Sequence, residues 1–337
     1  MLAETTAWTT LAWLVASGLV MIWAATHLTQ AAEQIATSTG IGQYWVGAML
    51  LAAATSLPEL AVDVTAVRLG ASNLAAGDLF GSGMANMLIL ALLLLFRWPA
   101  ATDWRFGHEL SRTVGLALVM TALAAMAVLL RPQTVWFGLS PVSLLLVGIY
   151  LMWTRSAFQQ DAADIGDAPT ERTSPPRGSW RRPVGRFGLA ALAIFSSAPL
   201  FAAAAHRLAV LSGLGDTTVG TIMVGVSTSL PELTVSLAAL RMGASSLAVG
   251  NLFGSNAFNM LAFFAMDCAD RGSIFAALDP THVLSALGVT LLMGLGLVAV
   301  LRPPSSRLAL LEPGGLSMIA VYVAIMTTVL LHTSSTG

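Results

Sequence analysis

A 34-residue block occurs twice in this chain. Residues 55 to 88 align with 228 to 261 at an offset of 173, and 22 of the 34 positions are identical. Each copy lies in a series of apolar stretches, all near the length of about 20 residues that a helix needs to cross hydrocarbon. They run at roughly 8 to 30, 42 to 67, 73 to 96, 113 to 130 and 134 to 153, then at roughly 187 to 210, 217 to 240, 246 to 266, 281 to 301 and 315 to 331. A polar stretch rich in Arg, Asp, Pro and Ser, 155 to 186, divides them five and five. Five is odd, so the second copy enters the bilayer from the opposite side to the first. Backbone groups in hydrocarbon have no water to bond to, which leaves helices rather than strands of an open sheet. The expected fold is all-α and integral to the membrane. Ten transmembrane helices form two inverted five-helix repeats, 1–154 and 187–337, joined by a linker over 155–186, with helices two and seven interrupted. Inverted repeats with interrupted helices place substrate and coupling ions near the midplane, where the repeats meet.

The chain is 56% hydrophobic and 10% charged, against roughly 25% charged in a soluble domain. A net charge of −1 offers nucleic acid no basic field. The first seven residues hold no Arg or Lys, so they lack the basic start of a cleaved signal and the first helix is expected to stay. The single cysteine, Cys268, excludes an internal disulfide and a thiolate metal cluster. Lysine is absent, so orientation rests on 16 arginines, twelve on the linker's side and four, Arg68, Arg131, Arg207 and Arg271, on the other. The positive-inside rule then makes the linker cytoplasmic and puts both termini outside, in a multi-pass plasma (inner) membrane protein.

Each repeat carries Thr-Ser-Leu-Pro-Glu-Leu, at Thr55 to Leu60 and at Thr228 to Leu233, in the middle of an apolar segment. Pro58 and Pro231 have no N–H and crowd the preceding turn, so a break is expected there, freeing carbonyls around Ala54 and Thr55 and around Ser227 and Thr228. The next residue is a carboxylate, Glu59 or Glu232, costly at the centre of a membrane helix by about 2.5 to 3.5 kcal/mol. If both converge on the pseudo-symmetry axis they supply up to four oxygens, and the two threonine carbonyls make six. Calcium takes about six to eight; magnesium holds its water, and zinc or copper would want the His or Cys that neither motif has. Each repeat also has Gly-Asp/Asn-Leu-Phe-Gly-Ser, at Gly77 to Ser82 and Gly250 to Ser255, with Asn86 or Asn259 four residues on. Ser56, Ser82, Ser229 and Ser255 add neutral oxygens of the kind sodium accepts. Packing between helices is the competing use of such small residues.

These strings resemble the calcium/cation antiporters that include the sodium/calcium exchangers, whose two α-repeats read much like these blocks. The resemblance spans nearly the whole chain. It implies that Glu59 and Glu232 are the principal calcium ligands, with the carbonyls of Thr55 and Thr228, and that Ser56, Ser82, Ser229, Ser255, Asn86 and Asn259 line the sodium positions. It also implies that helices one and six slide against the rest. Exchangers of this kind often carry Asp where Asn259 stands and Asn where Gly83 stands. Asp63, whose partner in the repeat is Ser236, lies one turn beyond Glu59 and is a candidate replacement for the missing charge; Asp78, aligned with Asn251, is a candidate neighbour of the site.

The functional expectation is a secondary cation antiporter working by alternating access, with sodium and calcium as transported ions. It has no cofactor, the bilayer as its surroundings, and no nucleic-acid or protein partner. Calcium/proton or other cation/proton exchange on the same fold is the nearest alternative. An intramembrane enzyme is remote, since no His-Glu-x-x-His string, Ser/His motif or Cys beside a base is present. His27, His108, His206, His282 and His332 are read as interfacial groups near helix ends, and Asp267 and Asp270 as facing water.

Overall fold

In the computed structural model the described residues are 6–95, 108–166, 180–211, 228–270, 272–301 and 313–336. Thr6 opens the first helix, α1 (Ala7–Thr39), by accepting the N–H of Thr9, and Gly40 closes it with φ 77°, a left-handed conformation that glycine adopts without cost. α1 therefore runs past its expected end, and His27 sits inside it, with Nδ1 2.9 Å from the Trp23 carbonyl. α2 (Gln43–Arg68), α3 (Ser72–Leu95), α4 (His108–Leu130) and α5 (Pro141–Gly166) follow. The second half holds α6 (Arg181–Leu211), α7 (Leu230–Arg241), α8 (Ser245–Asp270), α9 (His282–Leu301) and α10 (Pro313–Thr336).

Seven helices among the described residues are long and apolar enough to cross a membrane; α5 and α10 have shorter apolar cores, Pro141–Ala157 and Pro313–Val329. α7 is the latter part of the expected seventh span, whose residues 217–227 lie outside the described set. α5 begins later than expected because 131–140 forms a turn, with Gly138 at φ +83° and a bridge between Trp136 and Leu139. α5 and α6 both extend into the expected linker, of which 167–179 lie outside the described residues.

The two repeats depart from regular helix in different ways. Pro58 lies within continuous helix from Ala52 to Arg68, so the expected break at that proline is not found. The irregularity falls about two to three turns earlier, as a π turn over Gly47–Leu51, where the widened ring shifts the register of carbonyls ahead of the proline. In the second copy a helix starts at the motif: Ser229 stands outside helix and Pro231 sits in the first turn of α7, the position where its missing N–H costs nothing. α8 turns at Met260–Leu261 before continuing.

α8 lies at the centre, packed on α2, α3, α4 and α7, while α9 and α10 close over α3 and α1 lies along α6. Glycine permits this packing. A Cβ on Gly47 would stand 2.5 Å from the Leu247 carbonyl oxygen and one on Gly250 2.6 Å from that of Tyr44, and one on Gly254 would meet the Ala48 carbonyl. Trp8, Leu19, Trp23, Leu151, Met152 and Leu189 are exposed on the outside, whereas Thr, Ser, Asn, Asp and Glu side chains are buried inside. An apolar exterior around a polar centre is the arrangement a bilayer selects.

Asp267 is fully buried, contrary to the water-facing expectation. Its carboxylate accepts the Ile274 N–H at 2.6 Å, the Ser140 N–H at 2.8 Å and the Ser143 hydroxyl at 2.5 Å. It thus ties the end of α8 to the start of α5 and to the one-turn helix Ile274–Ala277, with a negative group at two positive helix ends.

Candidate cation site

Four polar stripes face one another at the centre. On α2, Thr55, Ser56, Glu59 and Asp63 recur at helical spacing and share one face; on α3, Asp78, Ser82 and Asn86 are four residues apart. The second half repeats the pattern, with Ser229, Glu232 and Ser236 at the head and along α7, and Asn251, Ser255 and Asn259 along α8. Glu59 is 4% exposed and Glu232 0%. Ser56, Asp63, Ser82, Asn86, Ser229 and Asn259 are also buried, as are Thr55 and Ser255; Thr228 is half-buried.

The contacts run between the repeats. Glu59 accepts the Ser82 hydroxyl at 2.8 Å on Oε1 and the Asn259 amide at 3.4 Å on Oε2, one donor from each half. Glu232 Oε1 accepts the hydroxyl of Ser56 at 3.4 Å. Thr55 Oγ1 donates to Asn251 Oδ1 at 3.3 Å and lies 3.4 Å from Ser255 Oγ. Asn86 Nδ2 donates at 2.9 Å to Asn256 Oδ1, whose own Nδ2 reaches the Gly83 carbonyl at 3.3 Å. Thr228 Oγ1 donates to Asp78 Oδ1 at 3.4 Å. Thr55, Ser56, Glu59, Asp63, Ser82, Asn86, Thr228, Glu232, Ser255 and Asn259 are joined by these contacts or, for Asp63, lie beside Asp78, while Ser229 is buried without a hydrogen-bond partner.

Three others join them: Asn251, Ser236 and Asn256, whose signal was their place in the repeated strings. Gly83, the departure from the family pattern, has a packing reason, because a Cβ there would approach Val289 to 3.0 Å and 3.1 Å.

The charge balance is one-sided. The hydrogen-bond partners of the two glutamates are neutral, and the charged groups that bear on Glu59 are Glu232, Asp78 and Asp63, all acidic. Buried oxygens of Asp63 (both), Asp78 (Oδ2), Asn86 (Oδ1), Ser229 (Oγ) and Glu232 (Oε2) have no hydrogen-bond partner. Buried carboxylates need opposite charge or donors. Hard oxygens from carboxylates, hydroxyls and amides, with no imidazole or thiolate among them, suit sodium or calcium rather than a transition metal.

Residues 9–154 and 183–331 match the family model described as sodium/calcium exchanger protein. A candidate antiporter of Alkalimonas amylolytica, CaxA, is 29% identical over 282 residues, covering 82% of this chain and 86% of that protein. The sodium/calcium exchanger MaX1 of Methanosarcina acetivorans is 26% identical over 320 residues, covering 82% and 88%. The solved structure of the sodium-calcium exchanger NCX_Mj soaked with 10 mM Na+ and zero Ca2+ superposes with a TM-score of 0.74 at 18% identity, over 96% of this chain and 99% of that one, and so shares its fold. The matched residues take in both repeats and every helix described above, and the chain is a multi-pass membrane cation antiporter of the sodium/calcium exchanger family.

Proposed function

We propose that this antiporter exchanges sodium for calcium by alternating access at one site shared by its two halves. One observation carries the reading: Glu59 and Glu232, one from each repeat, meet in a buried cluster of neutral oxygens and further carboxyls, with no basic partner among the described residues. Glu59 and Glu232 are the calcium ligands, with the carbonyls of Thr55 and Thr228. Ser56, Ser82, Ser229, Ser255, Asn86 and Asn259 offer the neutral oxygens that sodium takes when calcium leaves, and Asp63 adds charge one turn away. Competition for these oxygens couples the two fluxes, because each change of face carries either calcium or sodium. The protein sits in the plasma membrane with both termini outside.

Proteoliposomes loaded with sodium and diluted into sodium-free buffer with radioactive calcium test this. Uptake is expected to require the sodium gradient and to vanish in Glu59→Gln and in Glu232→Gln. Asn259 favours a second reading: an amide donating to Glu59 stands where exchangers often carry a carboxylate, so the central cluster has one charge fewer. Uptake that ignores sodium and follows an imposed pH gradient would move the assignment to calcium/proton exchange. No uptake under either gradient would overturn calcium as the substrate.

A further inference from the structure

The mirror between the halves extends to single hydrogen bonds, and at one place its chemistry is broken. In one arm Thr55 Oγ1 donates to Asn251 Oδ1 at 3.3 Å, and Asn251 Nδ2 donates to Ser236 Oγ at 3.2 Å. In the other, Thr228 Oγ1 donates to Asp78 Oδ1 at 3.4 Å, and Asp63 lies beside Asp78. At the repeat offset of 173, Asp78 is the counterpart of Asn251 and Asp63 of Ser236. The neutral arm satisfies itself, since an amide donor meets a hydroxyl.

The two carboxyl groups lie within hydrogen-bond reach of each other and can satisfy one another only by sharing a proton. Beyond one another, both oxygens of Asp63 and Oδ2 of Asp78 are buried without a hydrogen-bond donor, and Asp63 is 1% exposed. Once that proton leaves, two like charges held together away from water need a cation between them, and the charged group beside Asp63 is the equally acidic Asp78.

We propose that Asp63 and Asp78 form a second cation station, one turn from Glu59 toward the Arg68 end of α2, and that Ser236 and Asn251 in the opposite arm do not. The inference rests on the cation-antiporter reading of the central cluster. Two ionised carboxylates whose three remaining oxygens meet no other donor suit a divalent hard cation, calcium, better than sodium. A cation arriving from the side of the 69–71 connection meets two carboxylates before the glutamates. One arriving from the linker's side meets an amide and a hydroxyl. The two faces of a mirrored molecule are thereby made unequal.

The variant Asp63→Ser/Asp78→Asn writes the second half's own neutral pair into the first half, and Asp63→Asn/Asp78→Asn is the isosteric alternative should the former fold poorly. Equilibrium binding of radioactive calcium to purified protein in sodium-free detergent is expected to fall by one equivalent relative to wild type. The reverse graft, Ser236→Asp/Asn251→Asp, is expected to gain one. In proteoliposomes of defined orientation the half-saturating calcium concentration is expected to rise about tenfold, the scale of one ordinary charged contact, from the Arg68 side and about twofold or less from the linker's side. Unchanged binding stoichiometry, or an equal loss of affinity from both sides, overturns the station. If wild type shows no gradient-driven calcium uptake yet the neutral pair still removes one bound calcium, the sodium/calcium reading fails and the station stands. Intact uptake with unchanged stoichiometry fails the station alone.

Discussion

Glu59 is bound by a serine of its own half and an asparagine of the other, and Glu232 by a serine of the opposite half. Removing one charge while keeping the shape therefore isolates ligation from packing. Glu59→Gln and Glu232→Gln are each expected to lower calcium affinity by about 100-fold or more, since changing even groups behind a ligand costs about 10–100-fold. Isothermal titration checks the loss, and a melting temperature close to wild type shows that folding is retained. Protons and calcium compete for the same oxygens: calcium binding expels protons, so lowering pH opposes it. Apparent calcium affinity is expected to fall between pH 8 and pH 5.5, by at most about tenfold per pH unit for each proton displaced. A flat profile would count against carboxylate ligation. Most of this cluster was legible because the same string occurs twice with a carboxylate after a proline in apolar sequence. The Thr228–Asp78 and Thr55–Asn251 contacts were not, because they join residues of different halves and depend on how the repeats dock.

At the scale of elements, the π turn of α2 and the glycines of α8 form one fitted surface. Gly254→Ala drives a methyl group into the Ala48 carbonyl. Overpacking of this kind costs about 1–3 kcal/mol, which thermal unfolding in detergent would report as a lowered melting temperature. Asp267→Asn keeps the volume but removes the charge that holds the starts of two helices. It is expected to destabilise by about 1–3 kcal/mol, the range for losing a charged hydrogen-bond acceptor in a buried setting, while leaving calcium affinity largely intact. Seven of the expected apolar spans were readable from hydropathy and recur as long apolar helices among the described residues, with the first running on to Thr39, while α5 starts late, at Pro141. The π turn was not, because an i to i+5 register has no compositional signature and proline pointed to its own position instead. Asp267 was misread for a similar reason: closeness to a helix end in sequence does not show that 140–143 and 274 fold onto it.

At the scale of the whole molecule, the proposed sidedness of the two repeats rests on the uneven distribution of arginine. With Cys268 changed to Ser, Ser174→Cys is expected to react with a membrane-impermeant maleimide only after the inner face is opened. Labelling of intact cells would reverse the topology. The interleaving of the halves also bears on how the protein is made. The cross-repeat hydrogen bonds of Glu232 and Asn251 among the described residues end on Ser56 and Thr55, and Glu59 waits for Asn259. A ribosome must therefore translate to position 259 before the first glutamate can meet its full set of neighbours. Until then the nascent first half carries acidic side chains in lipid that lack their partners from the second half, so truncation after helix five is expected to yield a substrate for quality control rather than half a carrier.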